Sequence, residues 1–302
     1  MSPALTATSL LLVSSACFGL VPLFGRVLLE LGLSTEAVAL YRFCLALPLA
    51  LAWLPRRRSA LRPAIALAGA GLAGGLGWTT YLEAIQEVPV ASAGVIYMSY
   101  PVFVVLLARL LVGHRLTARA LAGAALVLAG AVIVNPPAAV SAGDLAVLLS
   151  SLPAPVGFAL VIVLVATVGR DLGTRERWSV LSTGTIAGLL PAALANDPAA
   201  LLPDATIGWA WITGLALVTA LVPQLLYVYA ARRVSPARAA ATGAAELLTM
   251  LAIGALAFGE AVGAREIAGA ILIIAAIGVT PAVTPRGDAA AGRTSAATSA
   301  ES

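Results

Sequence analysis

The chain has 302 residues, of which 61% are hydrophobic and 11% charged, and its formal net charge is +4 at pH 7. Helices that are apolar on all sides must be buried in protein or lipid, so this composition excludes an ordinary soluble protein and favours a polytopic membrane protein. The single histidine and the two separated cysteines supply no familiar metal-ligand pattern, and we expect neither a metal nor a cofactor.

Ten apolar blocks in the sequence are long enough to cross ~30 Å of hydrocarbon as helices. In chain order the predicted spans are residues 7–29, 35–54, 64–86, 92–111, 119–135, 144–169, 178–195, 206–230, 236–257 and 265–283. The predicted fold class is therefore an all-α integral membrane protein. Residues 285–302 are small and polar and predict a disordered tail.

The arginines indicate how the predicted spans are oriented. Every basic residue is an arginine, and with a cytoplasmic N-terminus fourteen of the 18 fall in inner connections and only Arg265 in an outer one. Basic residues concentrate in cytoplasmic loops, so we expect both termini, including the tail, to face the cytoplasm. The charge is thus a topology signal, and it does not indicate nucleic-acid binding. We expect a multi-pass protein of the plasma (inner) membrane.

An internal repeat divides the chain. A shift of 146 residues pairs several residues without a gap, among them Tyr81 with Tyr227, Gly113 with Gly259, and Arg119 with Arg265. We expect two repeats, 1–137 and 138–284, each with five spans. Because five is odd, the second repeat enters the membrane in the opposite direction, an arrangement typical of secondary transporters that bind substrate near mid-membrane.

Two stretches carry a family resemblance: VPVASAGVIYMSYPVFVVLLARLLVGHRLTARALAGAALVLAGAVIV (88–134) and VSPARAAATGAAELLTMLAIGALAFGEAVGAREIAGAILIIAAIGV (234–279). With YRF at 41–43, they resemble the drug/metabolite transporter superfamily, and in particular its EamA-type ten-helix members. The resemblance covers about residues 7–283. It implies two five-helix halves, export of metabolites such as amino acids, cytoplasmic termini, and a central cavity lined mainly by the first, third, fourth, sixth, eighth and ninth helices.

Glu246 is the foremost candidate for a functional residue. It lies near the middle of the ninth predicted span, where an unpaired charge costs roughly 2.5–3.5 kcal/mol on insertion scales. It therefore needs a partner, a water-filled cavity or a proton, and it is our candidate for both substrate binding and protonation. Thr242 precedes it by one turn and shares its helix face.

The other candidates lie on neighbouring spans. The predicted cavity residues are Trp78, Thr79, Tyr81 and Glu83 on the third span, Tyr97 and Tyr100 on the fourth, and Gln224 and Tyr227 on the eighth. Pro101 and Pro223 each free a backbone carbonyl and are the candidate hinges. Arg42 is a candidate charge partner that pairs with an acid and holds the bundle. The alternative for the tyrosines, threonines and glutamine is a role in hydrogen bonding between helices.

These features predict a secondary active transporter that exports amino acids or related small metabolites or drugs by alternating access, with Glu246 available for proton coupling. Its partners are a small-molecule substrate, the lipid bilayer and protons. The sequence contains no GxxxxGK[ST] pattern for ATP binding and no HExxH or GxSxG constellation, so we do not expect an enzyme. The alternatives are an uncoupled facilitator, and a non-transporting membrane scaffold or enzyme.

Overall fold

The computed structural model describes residues 3–88, 90–134, 142–169, 171–259 and 261–282, and all the regular structure in these ranges is helical. The helices are α1 (Pro3–Phe18), α2 (Val21–Glu30), α3 (Thr35–Cys44), α4 (Leu47–Ala52), α5 (Leu61–Glu87), α6 (Val90–Tyr97), α7 (Tyr100–Val112), α8 (Ala118–Val134), α9 (Ala142–Ser150), α10 (Pro153–Thr167), α11 (Thr174–Leu194), α12 (Ile207–Ala216), α13 (Val222–Ala231), α14 (Pro236–Gly243), α15 (Glu246–Phe258) and α16 (Ala264–Val279). Short 3₁₀ turns lie at Arg58–Ala60 and Pro198–Leu201, and a π-helical segment, Leu217–Leu221, joins α12 to α13. The tail predicted for 285–302 lies outside the described residues.

Six helical stretches in the described ranges are long and apolar enough to cross a membrane. They are Ala4–Glu30, Arg58–Ala84, Ser92–Val112, Gly143–Thr167, Ile207–Ala231 and Pro236–Phe258. Ala118–Val134 is apolar but shorter. The structure thus agrees with an all-helical membrane protein, while the count of ten spans and the cytoplasmic termini stay predictions.

The helix bounds recur at the shift found in the sequence. The helices α6 and α14 begin at 90 and 236, and α7 and α15 begin at 100 and 246, so each pair is 146 residues apart. Both α7 and α15 end at a glycine with positive φ, which is 73° at Gly113 and 68° at Gly259. This left-handed conformation is open to glycine without strain, which explains why these two positions match in the sequence.

Glycines bring pairs of helices into close backbone contact. A Cβ built on Gly188 of α11 would lie 2.5 Å from the carbonyl oxygen of Leu72 on α5. The helices α8 and α16 meet in the same way, because a Cβ on Gly130 would lie 3.1 Å from the carbonyl oxygen of Gly269. Small residues permit such close packing between membrane helices. The largest buried cluster includes side chains of α1, α7, α10, α11 and α13.

Candidate functional site

Helix interruptions surround the predicted site. Residues 98–99 separate α6 from α7, and residues 244–245 separate α14 from α15. Pro101 lies in the first turn of α7, and Pro223 lies in the first turn of α13, directly after the π-helical segment. Both candidate hinge prolines therefore stand where a helix is interrupted. A proline removes one helical hydrogen bond, which makes these positions the places where the backbone bends at least cost.

Glu246 is the first residue of α15. The N–H groups of Leu247 and Leu248 donate to the carbonyl oxygens of Ala244 and Ala245 at 3.1 Å and 3.0 Å, so the interruption before Glu246 is itself hydrogen-bonded. Gly19, which follows α1, packs against this turn, since a Cβ on Gly19 would lie 2.5 Å from the carbonyl oxygen of Glu246.

Five rings form a contiguous group, the aromatic cluster, which we define as Trp78, Tyr81, Tyr97, Tyr100 and Phe158. The ring of Tyr97 is central, with centroids 5.3 Å from Trp78 and 5.5 Å from Tyr81. It also lies 5.9 Å from Tyr100 and 5.8 Å from Phe158. Trp78 and Tyr81 stack at 5.0 Å. Four side chains predicted from the third and fourth spans thus meet on α5, α6 and α7, and Phe158 of α10 joins them.

The carboxylate of Glu246 interacts electrostatically with the tyrosines of this region. These are Tyr81, Tyr97, Tyr100 and Tyr227. Within the described part of the chain, the carboxylate has no hydrogen bond and no ion pair within 4.0 Å. An acid in an apolar helix without a hydrogen bond or a close ion pair is costly, which indicates that a ligand, water or a proton completes the site.

Two buried hydroxyl groups beside Glu246 also lack a partner among the described residues. Tyr227 is 6% exposed and Thr242 0%, and the hydroxyl oxygen of each is buried without a hydrogen bond. By contrast, the hydroxyl of Tyr100, which is 0% exposed, donates to the carbonyl oxygen of Ala240 at 3.0 Å. Buried polar atoms are usually paired, so the two free hydroxyls mark positions where a bound solute or water supplies the missing bond.

Arg42 occupies an unexpected place. Its guanidinium donates two hydrogen bonds to the carbonyl oxygen of Thr219, from Nε at 3.2 Å and from Nη2 at 2.8 Å. Its Cζ lies 5.6 Å from the ring centroid of Phe18 and 5.4 Å from that of Phe43. The role of Arg42 as a charge partner or structural residue stays a prediction: Arg42 and Glu246 interact electrostatically, and a backbone carbonyl accepts the hydrogen bonds of the guanidinium.

The reason lies in the eighth predicted span. Thr219 lies in the π-helical segment, and Pro223, four residues later, has no N–H to give its carbonyl an α-helical hydrogen bond. The arginine of another helix donates to this carbonyl instead. No side-chain pattern in the sequence predicts a backbone carbonyl as the partner of a charged residue.

Three predicted cavity residues lie apart from the aromatic cluster. The hydroxyl of Thr79 donates to the carbonyl oxygen of Leu76 in its own helix at 2.7 Å. Gln224 accepts a hydrogen bond from the hydroxyl of Ser182 at 3.2 Å, so it joins α13 to α11. Glu83 is exposed. It follows Trp78 by five residues, which places it about 140° away around α5, and this rotation explains why it does not meet the cluster.

Phe158 and Phe18 are site residues that the sequence did not single out. The ring centroids of Phe158 and Tyr100 lie 4.9 Å apart, and those of Phe18 and Tyr227 lie 6.4 Å apart. Both stand in long apolar runs where lipid-facing and site-facing rings have the same pattern. Their positions in the first and sixth spans, which the family resemblance implies to line the cavity, were the available signal.

Comparisons with known proteins agree with this architecture. The model of the EamA-like transporter family matches residues 5–135 and again residues 141–280. An uncharacterized transporter from Archaeoglobus fulgidus is 28% identical over 272 residues, which cover 88% of this chain and 93% of that protein. A solved protein crystal structure shares the fold with a TM-score of 0.72 at 18% identity, covering 91% of this chain and 96% of the other. The two family matches together span nearly the whole chain, and the chain therefore belongs to the EamA-like transporter family as a multi-pass membrane transporter.

Proposed function

We propose that this transporter is a secondary carrier for amine-bearing small molecules with an apolar or aromatic part, a class that includes amino acids and amine drugs. The observation that carries the proposal is the carboxylate of Glu246, which has no hydrogen bond and no ion pair within 4.0 Å in the described residues and interacts electrostatically with four tyrosine hydroxyls. A solute ammonium group supplies a close ionic partner for this carboxylate. The solute's apolar part packs against the aromatic cluster.

The rings add to the recognition of a cation. An ammonium group over an aromatic face gains about 0.5–1 kcal/mol at an exposed site and about 2 or more when desolvated. The hydroxyl groups of Tyr227 and Thr242 provide hydrogen bonds for polar atoms of the solute, because both oxygens are buried and unpaired in the described structure. Solute charge, a flat apolar part and a neighbouring polar atom are the three features that this site selects.

Transport by alternating access needs places where helices bend. The interruptions at 98–99 and 244–245 and the π-helical segment Leu217–Leu221 all lie in helices that carry site residues. We place the hinges there, with Pro101 and Pro223 as the prolines that weaken the helix. Rocking of the two halves about the site opens it to one side of the plasma membrane at a time.

Coupling to protons follows from competition at one carboxylate. Glu246 binds either a proton or an ammonium group. When the site is open to one side of the membrane, a proton that binds from that side displaces the solute, which leaves to the same side. A carrier with this property exchanges protons for amines and exports them when the proton gradient points inward. If transport does not respond to a gradient, the protein is an uncoupled facilitator that uses the same site.

The test is transport by the purified protein in proteoliposomes with three labelled solutes that share a phenyl ring: phenethylamine, phenylalanine and 3-phenylpropionate. We expect uptake of phenethylamine and phenylalanine, acceleration when the vesicle interior is more acidic, and no uptake of the anionic 3-phenylpropionate. Equal transport of all three, or transport of the anion alone, contradicts an ammonium-binding acid. Absence of any flux favours the scaffold alternative.

A further inference from the structure

Arg42 donates to a carbonyl that lies four residues before a proline. Its Nε and Nη2 atoms lie 3.2 Å and 2.8 Å from the oxygen of Thr219, inside the π-helical segment. Pro223 has no N–H and cannot give this oxygen an α-helical hydrogen bond. Movement of the guanidinium therefore removes two hydrogen bonds from a carbonyl of the π-helical segment, which links the position of Arg42 to that segment.

The same guanidinium is close to the functional acid. Arg42 lies over the ring of Phe18, and the next residue, Gly19, packs against the backbone of Glu246. Arg42 and Glu246 interact electrostatically without an ion pair within 4.0 Å. A guanidinium has five N–H donors, and the two hydrogen bonds to Thr219 leave further donors for a second acceptor.

We propose that Arg42 is an internal cation that competes with the solute for Glu246 and moves between two acceptors, the Glu246 carboxylate and the Thr219 carbonyl. With a solute cation on Glu246, the arginine rests on Thr219 and supports the bend at Pro223. With the acid empty, the arginine pairs with it and releases the carbonyl. The binding state of Glu246 thereby changes the hydrogen bonding of the helical stretch Ile207–Ala231. This inference rests on the proposed function.

The first experiment compares the binding of phenethylamine and of neutral 2-phenylethanol to the purified protein and to Arg42→Gln. Glutamine still donates a hydrogen bond to Thr219 but carries no charge. We expect Arg42→Gln to bind phenethylamine about tenfold more tightly, which corresponds to about 1.4 kcal/mol, and to bind 2-phenylethanol unchanged. Arg42→Lys, which keeps the charge, should restore the parent affinity for the amine.

A second variant is expected to change the affinity for phenethylamine in the opposite direction. Pro223→Ala gives the Thr219 carbonyl a backbone N–H partner, so Arg42 loses its alternative acceptor and favours Glu246. We expect this variant to bind phenethylamine several-fold more weakly than the parent, again without an effect on 2-phenylethanol. Arg26→Gln is the matched control: Arg26 also lies over a ring, Phe258 at 4.5 Å, but pairs with Glu30 at 3.4 Å. It should leave both affinities unchanged.

The outcomes separate competition from structural support. If Arg42→Gln binds phenethylamine more weakly than the parent, or if the affinities for the amine and the alcohol change equally, Arg42 has only a structural role and the inference is wrong. A Pro223→Ala variant that binds the amine unchanged or more tightly overturns the role of the Thr219 carbonyl. Thermal unfolding of each variant identifies any that fails to fold. Loss of the proposed function has a different signature, namely unchanged phenethylamine binding by Glu246→Gln.

Discussion

The fourth and ninth predicted spans are interrupted at equivalent places but carry different side chains there. Each second half-helix begins 146 residues from the other, at Tyr100 and at Glu246, and each ends at a left-handed glycine. The hydroxyl of Tyr100 donates to the carbonyl of Ala240, whereas the Glu246 carboxylate has no hydrogen bond and no ion pair within 4.0 Å in the described residues. The backbone interruption repeats while the charge does not. We therefore assign the repeated interruptions to the fold and propose that the acid serves the function.

The largest effect is expected from neutralising the acid. Glu246→Gln keeps the size and one acceptor of the side chain but removes the charge that binds the ammonium group. Loss of one partner from a buried charge pair costs about 2–5 kcal/mol, which is about 30-fold to several thousand-fold in affinity. Phenethylamine transport in proteoliposomes should fall by that range.

Glu83→Gln is the matched control for this substitution, because Glu83 is an exposed acid on α5. We expect it to transport phenethylamine at the parent rate. Equal losses from both substitutions would mean that general charge, and not the position at the start of α15, supports transport. The presence of an acid in the ninth predicted span, and of a tyrosine at the equivalent place in the fourth, would then have no functional meaning.

Motion at the interruptions requires other helix–helix contacts that stay fixed. The close contact between α5 and α11 is our candidate for such a fixed contact. Gly188→Ala places a Cβ 2.5 Å from the Leu72 carbonyl oxygen and forces the helices apart. Overpacking of this kind costs about 1–3 kcal/mol, so the thermal midpoint should fall. Gly69→Ala on α5 is the control, since nothing lies within 4 Å of the added methyl. It should stabilise the protein by about 0.5–1 kcal/mol. A Gly188→Ala variant as stable as Gly69→Ala would contradict the close contact.

Smaller and opposite effects are expected from two tyrosines. Tyr100→Phe removes a hydroxyl that donates to Ala240, so unfolding should become easier by about 0.5–1.5 kcal/mol. Tyr227→Phe removes a buried hydroxyl with no partner among the described residues, so stability should stay equal or rise while phenethylamine affinity falls several-fold. Thermal unfolding and equilibrium binding on the same preparations check both. The assignment fails if Tyr227→Phe destabilises the protein as much as Tyr100→Phe does.

Much of the site follows from sequence patterns with a direct physical cause. An acid in an apolar run is costly, which singles out Glu246, and a proline removes a helical hydrogen bond, which marks Pro101 and Pro223 at the interruptions. The ring-rich turns of the third and fourth spans do meet, as the contact between Trp78 and Tyr97 at 5.3 Å shows.

Other parts depend on tertiary packing that no local pattern encodes. Phe158 reaches the aromatic cluster from α10, in an apolar run where every face looks alike in sequence. Arg42 bonds a carbonyl 177 residues away in the chain, so its partner cannot be found among side chains. Glu83 lies on an exposed face although it was predicted to line the cavity, because the packing face of α5 is set by its glycine contact with α11.

Glu246 is proposed to bind the charged group of the solute, and charge selectivity in equilibrium binding tests this role. The purified parent and Glu246→Gln are titrated with phenethylamine, phenylalanine and 3-phenylpropionate. We predict that the parent binds the amine and the amino acid and rejects the anion, and that Glu246→Gln loses this order so that the three bind with similar, weak affinity. An undiminished preference for the amine in Glu246→Gln would contradict the account, because the selectivity would then reside elsewhere in the molecule.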